Sequence, residues 1–193
     1  MKKVVVSMNV TLDGFMSGPN HDLNWHFNNW STDMGERLGI ELTRADTMLL
    51  GRITYEAMAN YWPMRSRDLL CARDEIALAE MMNSIRKVVY SKTLAKTAWN
   101  NTTLISGFLR PIVYQLKRGD GISNKNIMVY GSSQLVAALI QLNLVDEYQL
   151  WVHPVILGKG NHLFSRIQQT TNLRLMGTTT FQSGVVLMNY QLT

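Results

Sequence analysis

A single cysteine, Cys71, stands in the whole chain, so no disulfide can close within it and no cluster of thiolates can hold a metal. That scarcity fits a reducing, cytoplasmic setting. The four histidines, His21, His26, His153 and His162, form two separated pairs without metal-ligand spacing such as H-x-x-x-H, so no metal is expected. No run approaches the roughly 18 uncharged apolar residues of a membrane span. The apolar start at Val4 to Met8 follows two lysines but stops at Asn9, with Asp13 soon after, and reads as a buried first strand rather than a signal peptide. Blocks of like charge are missing too. The 19 Lys+Arg against 14 Asp+Glu leave a net +5, which reads as a solvated face or as attraction for an anionic small molecule. Without an RNA-recognition or zinc-finger signature, nucleic acid is not an expected partner.

What is present is a globular chain of 193 residues, 46% apolar and 17% charged, long enough for one continuous core and therefore read as a single domain over residues 1–193. Val4 to Asn9 is a strand that opens into a long loop punctuated by Asp13-Gly14 and Ser17-Gly18-Pro19-Asn20. Trp25, Phe27 and Trp30 give that loop a high aromatic load without regular period; it either covers a pocket or packs down on the core. A helix capped within Ser31-Thr32-Asp33 runs to about Arg44, and Thr47 to Leu50 is an apolar strand ending at Gly51. Helices are expected over Ile53–Asn60, Asp68–Arg86 with Leu69, Leu70, Ile76, Met81, Met82 and Ile85 on its apolar face, Leu109–Arg118 and Gln134–Leu142, the third closed by Gly119-Asp120-Gly121. Strands are expected over Lys87–Ser91, Thr103–Ser106, Asn126–Tyr130 and Tyr148–Val152 with the run to Leu157. Leu173–Met176 and Val185–Leu192 read as an antiparallel pair joined across Gln182-Ser183-Gly184. Alternating strands and helices followed by a hairpin predict an α/β fold. Its central sheet is mostly parallel, with helices on both faces and an antiparallel C-terminal hairpin.

Two strand-to-helix junctions carry the chemistry, Leu49-Leu50-Gly51-Arg52-Ile53-Thr54 and Val129-Tyr130-Gly131-Ser132-Ser133. In each, glycine permits a sharp turn that presents the unpaired N–H groups of a helix start, which suits an anion such as phosphate. Arg52 can add a bidentate fork, and Ser91 and Lys92 stand at the end of another strand. Ligands of open α/β sheets gather outside the carboxyl ends of the strands, where all three groups fall.

These residues resemble a known family. Ser7-Met8-Asn9-x-Thr11-Leu12-Asp13-Gly14, Gly51-Arg52-x-Thr54-Tyr55-Glu56 and Lys87 to Ser91 with Lys92-Thr93-Leu94 are similar to the dihydrofolate reductase-like superfamily. So is the stretch from Ile127 to Gly131 through Asp146-Glu147 to His153-Pro154-Val155-Ile156-Leu157-Gly158-Lys159-Gly160. Within it they most resemble the branch named for the C-terminal reductase domain of the bifunctional riboflavin-biosynthesis deaminase-reductase, over nearly the whole chain. The resemblance implies a dihydrofolate reductase-like three-layer fold, an eight-strand sheet and an NADPH-dependent oxidoreductase. It implies that Gly51, Arg52 and Thr54 hold dinucleotide phosphates, Ser91 and Lys92 the adenosine 2′-phosphate, and Gly131, Ser132 and Ser133 the pyrophosphate near the nicotinamide. The substrates it implies are small molecules, a pterin or a ribosylaminopyrimidine phosphate, the latter as in a 5-amino-6-(5-phosphoribosylamino)uracil reductase. Ser132 and Ser133 replace glycines usual in that turn. The deaminase half, which needs H-x-E with P-C-x-x-C, cannot be built with one cysteine.

Asp13 and Asp33 are the candidate catalytic carboxylates. Asp33 serves either a bound pterin or the N-cap of its helix, and Asp13 either the nicotinamide face or the turn before Gly14. His153, before Pro154, reads as a packed residue. Two alternatives stand beside the reductase. One is a protein that binds the dinucleotide without turnover; the other is a serine hydrolase using Ser133, Asp146 and His153, although Leu135 stands where a nucleophile elbow needs glycine. A homodimer is expected from the resemblance and from the open edge of the strand-rich segment Leu173 to Leu192.

Overall fold

The computed structural model describes residues 1–193 apart from Leu69, Asp120 and Ile122. Leu69, expected on the apolar face of the helix over Asp68–Arg86, and Asp120, expected in a closing turn, thus lie outside the described residues. The first strand, β1 (Val4–Thr11), alternates its two faces: Val4, Val6, Met8 and Val10 enter one core, while Val5, Ser7, Asn9 and Thr11 point to the other side. Parallel strands β3 (Ala45–Gly51), β4 (Arg86–Tyr90), β5 (Thr102–Ile105), β6 (Asn126–Val129) and β7 (Glu147–His153) flank it. The C-terminal pair β9 (Leu173–Thr180) and β10 (Val186–Leu192) is antiparallel, as expected, and β10 joins the sheet beside β7. Among the described residues the order is β5-β4-β3-β6-β1-β7-β10-β9.

Helices α5 (Leu109–Arg118) and α6 (Ser133–Gln141) bury Leu109, Val113, Leu135, Val136 and Leu139 against the Val4/Val6/Met8 face. On the opposite face α2 (Thr32–Thr43), α3 (Arg52–Arg65) and α4 (Arg73–Ser84) pack Leu38, Leu42, Tyr55, Leu78 and Met82 onto Met48, Leu50 and Val89. The result is three layers, helix on sheet on helix.

Several elements differ from the sequence expectation. The helix α3 runs through Pro63 to Arg65, at the loss of the N–H that would otherwise reach the Ala59 carbonyl. The helix α4 starts at Arg73 rather than Asp68; Leu70, counted on its apolar face, is 96% exposed. Strand β9 continues to Thr180, its polar Thr178, Thr179 and Thr180 drawn into register by β10. The long loop after β1 is partly ordered, with β2 (Phe15–Ser17) paired to β8 (Asn161–His162) in a small second sheet, and with the four-residue α1 (Asn24–Phe27). No apolar alternation marks either short strand, so their pairing is a tertiary result.

The strand register is uneven at the carboxyl end of the sheet. β1 pairs with β6 only from Val4 to Val6, yet follows β7 as far as Thr11 opposite His153. From Met8 onward β1 and the chain after β6 therefore diverge, and the sheet splits at the carboxyl ends of its strands.

Candidate active site

Gly51 and Gly131 face each other across this end of the sheet. The Gly51 N–H donates to the Gly131 carbonyl at 2.9 Å. A Cβ on Gly51 would lie 2.7 Å from Ser132 Oγ and 2.9 Å from the Ser132 backbone nitrogen, so a side chain there would separate the two turns. Gly131 has φ +117°, a conformation open to glycine, and a Cβ on it would meet Thr54 Oγ1 at 2.8 Å and Met8 Cε at 3.6 Å. The Gly131–Ser132 peptide is cis. This contact brings the N-termini of α3 and α6 together, and neither helix has a side-chain cap on its first N–H groups. Their partial positive ends converge on one spot. Thr54, Ser132 and Ser133 are partly exposed there and can add hydroxyl donors.

Arg52 is exposed and pairs with Glu56 at 2.9 Å within α3. Such a surface pair contributes only about 0–1 kcal/mol, so it opposes an anion weakly. Ser91 follows β4 directly and is buried; its Oγ accepts the N–H groups of Thr93 (3.1 Å) and Leu94 (3.0 Å), folding the turn that carries exposed Lys92. β4, β3 and β6 are adjacent, so Ser91-Lys92, Gly51-Arg52 and Gly131-Ser132 form a row about 10 Å long at the usual strand spacing.

The two candidate carboxylates behave as anchors. Asp13 accepts from Thr11 Oγ1 at 2.5 Å and from the N–H groups of Leu157 (3.0 Å) and Gly158 (2.8 Å). The Thr11 hydroxyl foremost, with these amides, lowers its carboxyl to about 2. Asp13 therefore ties the loop after β7 to the end of β1 as an anion, which is a poor state for giving a proton near neutral pH. Asp33 is not the N-cap of α2: that position is Ser31, and Asp33 sits in the first turn. It accepts from Ser31 Oγ at 2.5 Å and from the Gln182 N–H at 3.0 Å, which lower its pKa and fasten the β9–β10 turn to α2.

The hydrolase alternative fails on geometry. Ser133 and His153 stand at carboxyl ends of strands, whereas Asp146 precedes β7 and is held at the other end by Lys117 (2.7 Å) and the Val4 N–H (2.7 Å). Seven residues of strand, about 20 Å, separate Asp146 from His153.

Sequence reasoning missed a cluster at the carboxyl ends of β1 and β7. His153 is fully buried, its Nε2 lies 2.8 Å from Asn9 Oδ1, and its Nδ1 has no partner. The Trp25 ring stands edge-on to it with centroids 5.0 Å apart, and the His26 ring lies 5.4 Å away. Burial lowers His26 to about 4, and burial with the neighbouring His26 lowers His153 to about 3, so both are neutral at pH 7. The one signal for it was the aromatic load of the loop. Among the described residues no three His, Cys, Asp or Glu side chains converge as a metal site, and no helix is long and apolar enough to cross a membrane.

Comparison with known proteins agrees with this architecture. The model of the RibD C-terminal domain matches residues 2–187. The chain is 34% identical over 189 residues to the uncharacterized protein YyaP of Bacillus subtilis (strain 168), covering 98% of this chain and 94% of that one. A putative riboflavin biosynthesis protein from Shewanella sp. PV-4 superposes with a TM-score of 0.72 at 18% identity, over 100% of this chain and 99% of that one. Dihydrofolate reductase from Enterococcus faecalis, complexed with NADP(H), superposes with a TM-score of 0.61 at 11% identity, over 99% and 96%. The near-complete family match and these superpositions lead to one conclusion: the fold is dihydrofolate reductase-like, and the chain belongs to the RibD C-terminal domain family.

Proposed function

We propose that the protein is an NADPH-dependent oxidoreductase that delivers a hydride to a small molecule, with a pterin or a ribosylaminopyrimidine phosphate as the substrate classes to try first. The observation that carries this reading is the mutual contact of Gly51 and Gly131, which joins two uncapped helix starts at the mouth of the split sheet. A dinucleotide fits that arrangement, because its linked phosphates need several convergent N–H donors and close backbone approach. Gly51, Arg52 and Thr54 hold one side of the phosphates, and Gly131, Ser132 and Ser133 hold the pyrophosphate near the nicotinamide. Ser91 and Lys92 bind the 2′-phosphate that distinguishes NADPH from NADH, through the Ser91 hydroxyl hydrogen and the Lys92 ammonium. The serines at 132 and 133 replace the room of glycine with hydroxyl donors.

When bound, the cofactor supplies the hydride, and the protein's task is orientation and exclusion of water. Asp13 and Asp33 act there by positioning: one holds the loop around Leu157 and Gly158, the other the β9–β10 turn. Their anionic state also favours, as a second reading, a chain that binds the dinucleotide without turning it over. The protein works as a homodimer in a reducing, cytoplasmic setting; the exposed edge strand β9, with Leu175 and Met176 about half exposed, supports the dimer.

Titration of the five tryptophans' fluorescence, or calorimetry, tests the proposal. Saturable NADPH binding at micromolar concentration, with NADH weaker, is the expected result; no binding of either at near-physiological salt overturns it. NADPH oxidation across a screen of pterins and ribosylated pyrimidine phosphates separates turnover from binding alone.

A further inference from the structure

On the α2 side of the sheet, at the end away from Gly51 and Gly131, a cavity of about 290 Å³ lies between α2 and the strands β7 and β10. Its walls are polar: Arg37, Glu41 and Arg44 face Glu147 and Gln149 of β7 and Asn189 of β10. Glu147 and Gln149, two residues apart, share one face of β7 and stand opposite Gln191 and Asn189 of β10. Seven residues of β3, about 20 Å, separate Arg44, just before that strand, from Gly51 at its end. The cavity is thus separate from the turns proposed to hold the cofactor, and its size suits a small molecule rather than a dinucleotide.

Two polar side chains of this wall, Glu41 and Gln149, are more than nine-tenths buried. Glu41 is engaged on both oxygens: Oε1 accepts from Arg37 Nε at 2.7 Å and Oε2 from Gln149 Nε2 at 3.0 Å. The second bond fixes the amide's orientation, because the reverse one would set a carbonyl against a carboxylate, acceptor against acceptor. Gln149 Oε1 is left buried with no donor. A carbonyl stripped of water and unpaired is unfavourable, and such atoms are rare in a folded protein. The last torsion of a glutamine side chain is broad, so a modest rotation turns Oε1 toward the cavity while Nε2 stays within reach of Glu41.

The other open groups of the cavity are charged. Glu147 receives Lys3 at 2.6 Å and Gln191 Nε2 at 2.9 Å, both on Oε1, and among the described residues its Oε2 has no donor. Arg44 approaches Glu41 only to 3.9 Å, beyond hydrogen-bond distance, and 63% of its side chain is exposed. One cation, one carboxylate oxygen and one amide carbonyl are therefore unfilled. A guest that meets all three brings an anion to Arg44 and an ammonium whose N–H donors divide between Glu147 Oε2 and Gln149 Oε1. An anion alone leaves both acceptors unmet, a cation alone leaves Arg44 unmet, and an uncharged polyol gives up both charge-assisted bonds.

We propose that this cavity binds a small zwitterion of the α-amino acid type, with its carboxylate on Arg44 and its ammonium between Glu147 and Gln149. The inference goes beyond the reductase reading and does not depend on it.

Calorimetry on the full chain tests it, with L-serine and L-leucine as zwitterions, propionate and propylammonium as the separate charges, and glucose as the polyol. Saturable binding of an amino acid is expected, at least tenfold tighter than that of any of the other three. In the unmodified protein, NMR of the side-chain amides should show the Gln149 NH₂ signals shifting with that amino acid. Arg44→Gln, at an exposed position, should weaken the amino acid at least tenfold while leaving the urea midpoint unchanged. The proposal is overturned if neither amino acid binds saturably at millimolar concentration, or if propionate, propylammonium or glucose binds as tightly. It is equally overturned if the Gln149 amide signals stay fixed, as they would with water alone in the cavity, or if Arg44→Gln binds the amino acid as the parent does.

Discussion

Acidification from pH 7 to pH 5 should destabilise this protein through its two buried imidazoles. In the unfolded chain a histidine titrates near 6.5, but in the folded chain His153 is lowered to about 3 and His26 to about 4. Between those values the unfolded state binds protons that the folded state refuses, so stability falls as pH falls through 6.5 and is fully retained above it. At pH 5 a group that stays neutral in the fold costs about 1.36 × 1.5, or roughly 2 kcal/mol. Fully buried His153 should show most of that, while partly exposed His26 is discounted for solvent to about 1 kcal/mol. A loss of about 3 kcal/mol is a large share of a typical 5–15 kcal/mol. Asp13, lowered to about 2, loses its contribution mainly below pH 5, which keeps the window clean. Urea unfolding at pH 7, 6 and 5, by tryptophan fluorescence, reads the effect. A His26→Phe/His153→Phe double variant should be nearly flat over the same range. A parent whose stability changes by less than about 0.5 kcal/mol, or a variant with the parent's slope, would refute the reasoning.

Gly131→Ala meets both a φ of +117° and the Thr54 hydroxyl at 2.8 Å, so it should cost about 1–3 kcal/mol in urea unfolding and weaken NADPH; an unchanged midpoint would show that the turn is not fixed by this contact. Arg52→Ala should weaken NADPH about tenfold to a hundredfold, the value of a charge-assisted bond to phosphate, while shifting stability by no more than about 0.5 kcal/mol; equal affinity at the same salt returns Arg52 to its pair with Glu56. Asp13→Asn replaces an ionised acceptor of two backbone amides, so hydrogen exchange at Leu157 and Gly158 should accelerate selectively, and a uniform or absent change would deny Asp13 its anchoring role.

The layered α/β fold was legible in the sequence because its evidence is periodic and local. Val4 to Asn9, Thr47 to Leu50 and Asn126 to Tyr130 are apolar runs between turn residues, and buried parallel strands need little more than that. The glycine junctions at Gly51 and Gly131 were legible too, since a sharp strand-to-helix turn restricts its residue type at one position. What a side chain touches is a different matter. Asp13 and Asp33 looked equally suited to catalysis and to structure; only the arrival of Leu157, Gly158 and Gln182, more than 140 residues away, decided how their oxygens are used. Asp146 and His153 lie seven residues apart in sequence and at opposite ends of a strand in space. The pairing of β2 with β8 left no local pattern, and the aromatic load of the loop did not say that Trp25 and His26 would meet His153 and Asn9. The sequence by itself determined which segments alternate and where they turn, because those preferences act over a few residues; the tertiary structure alone decided which polar atoms end up paired, because that depends on neighbours the chain brings back from far away.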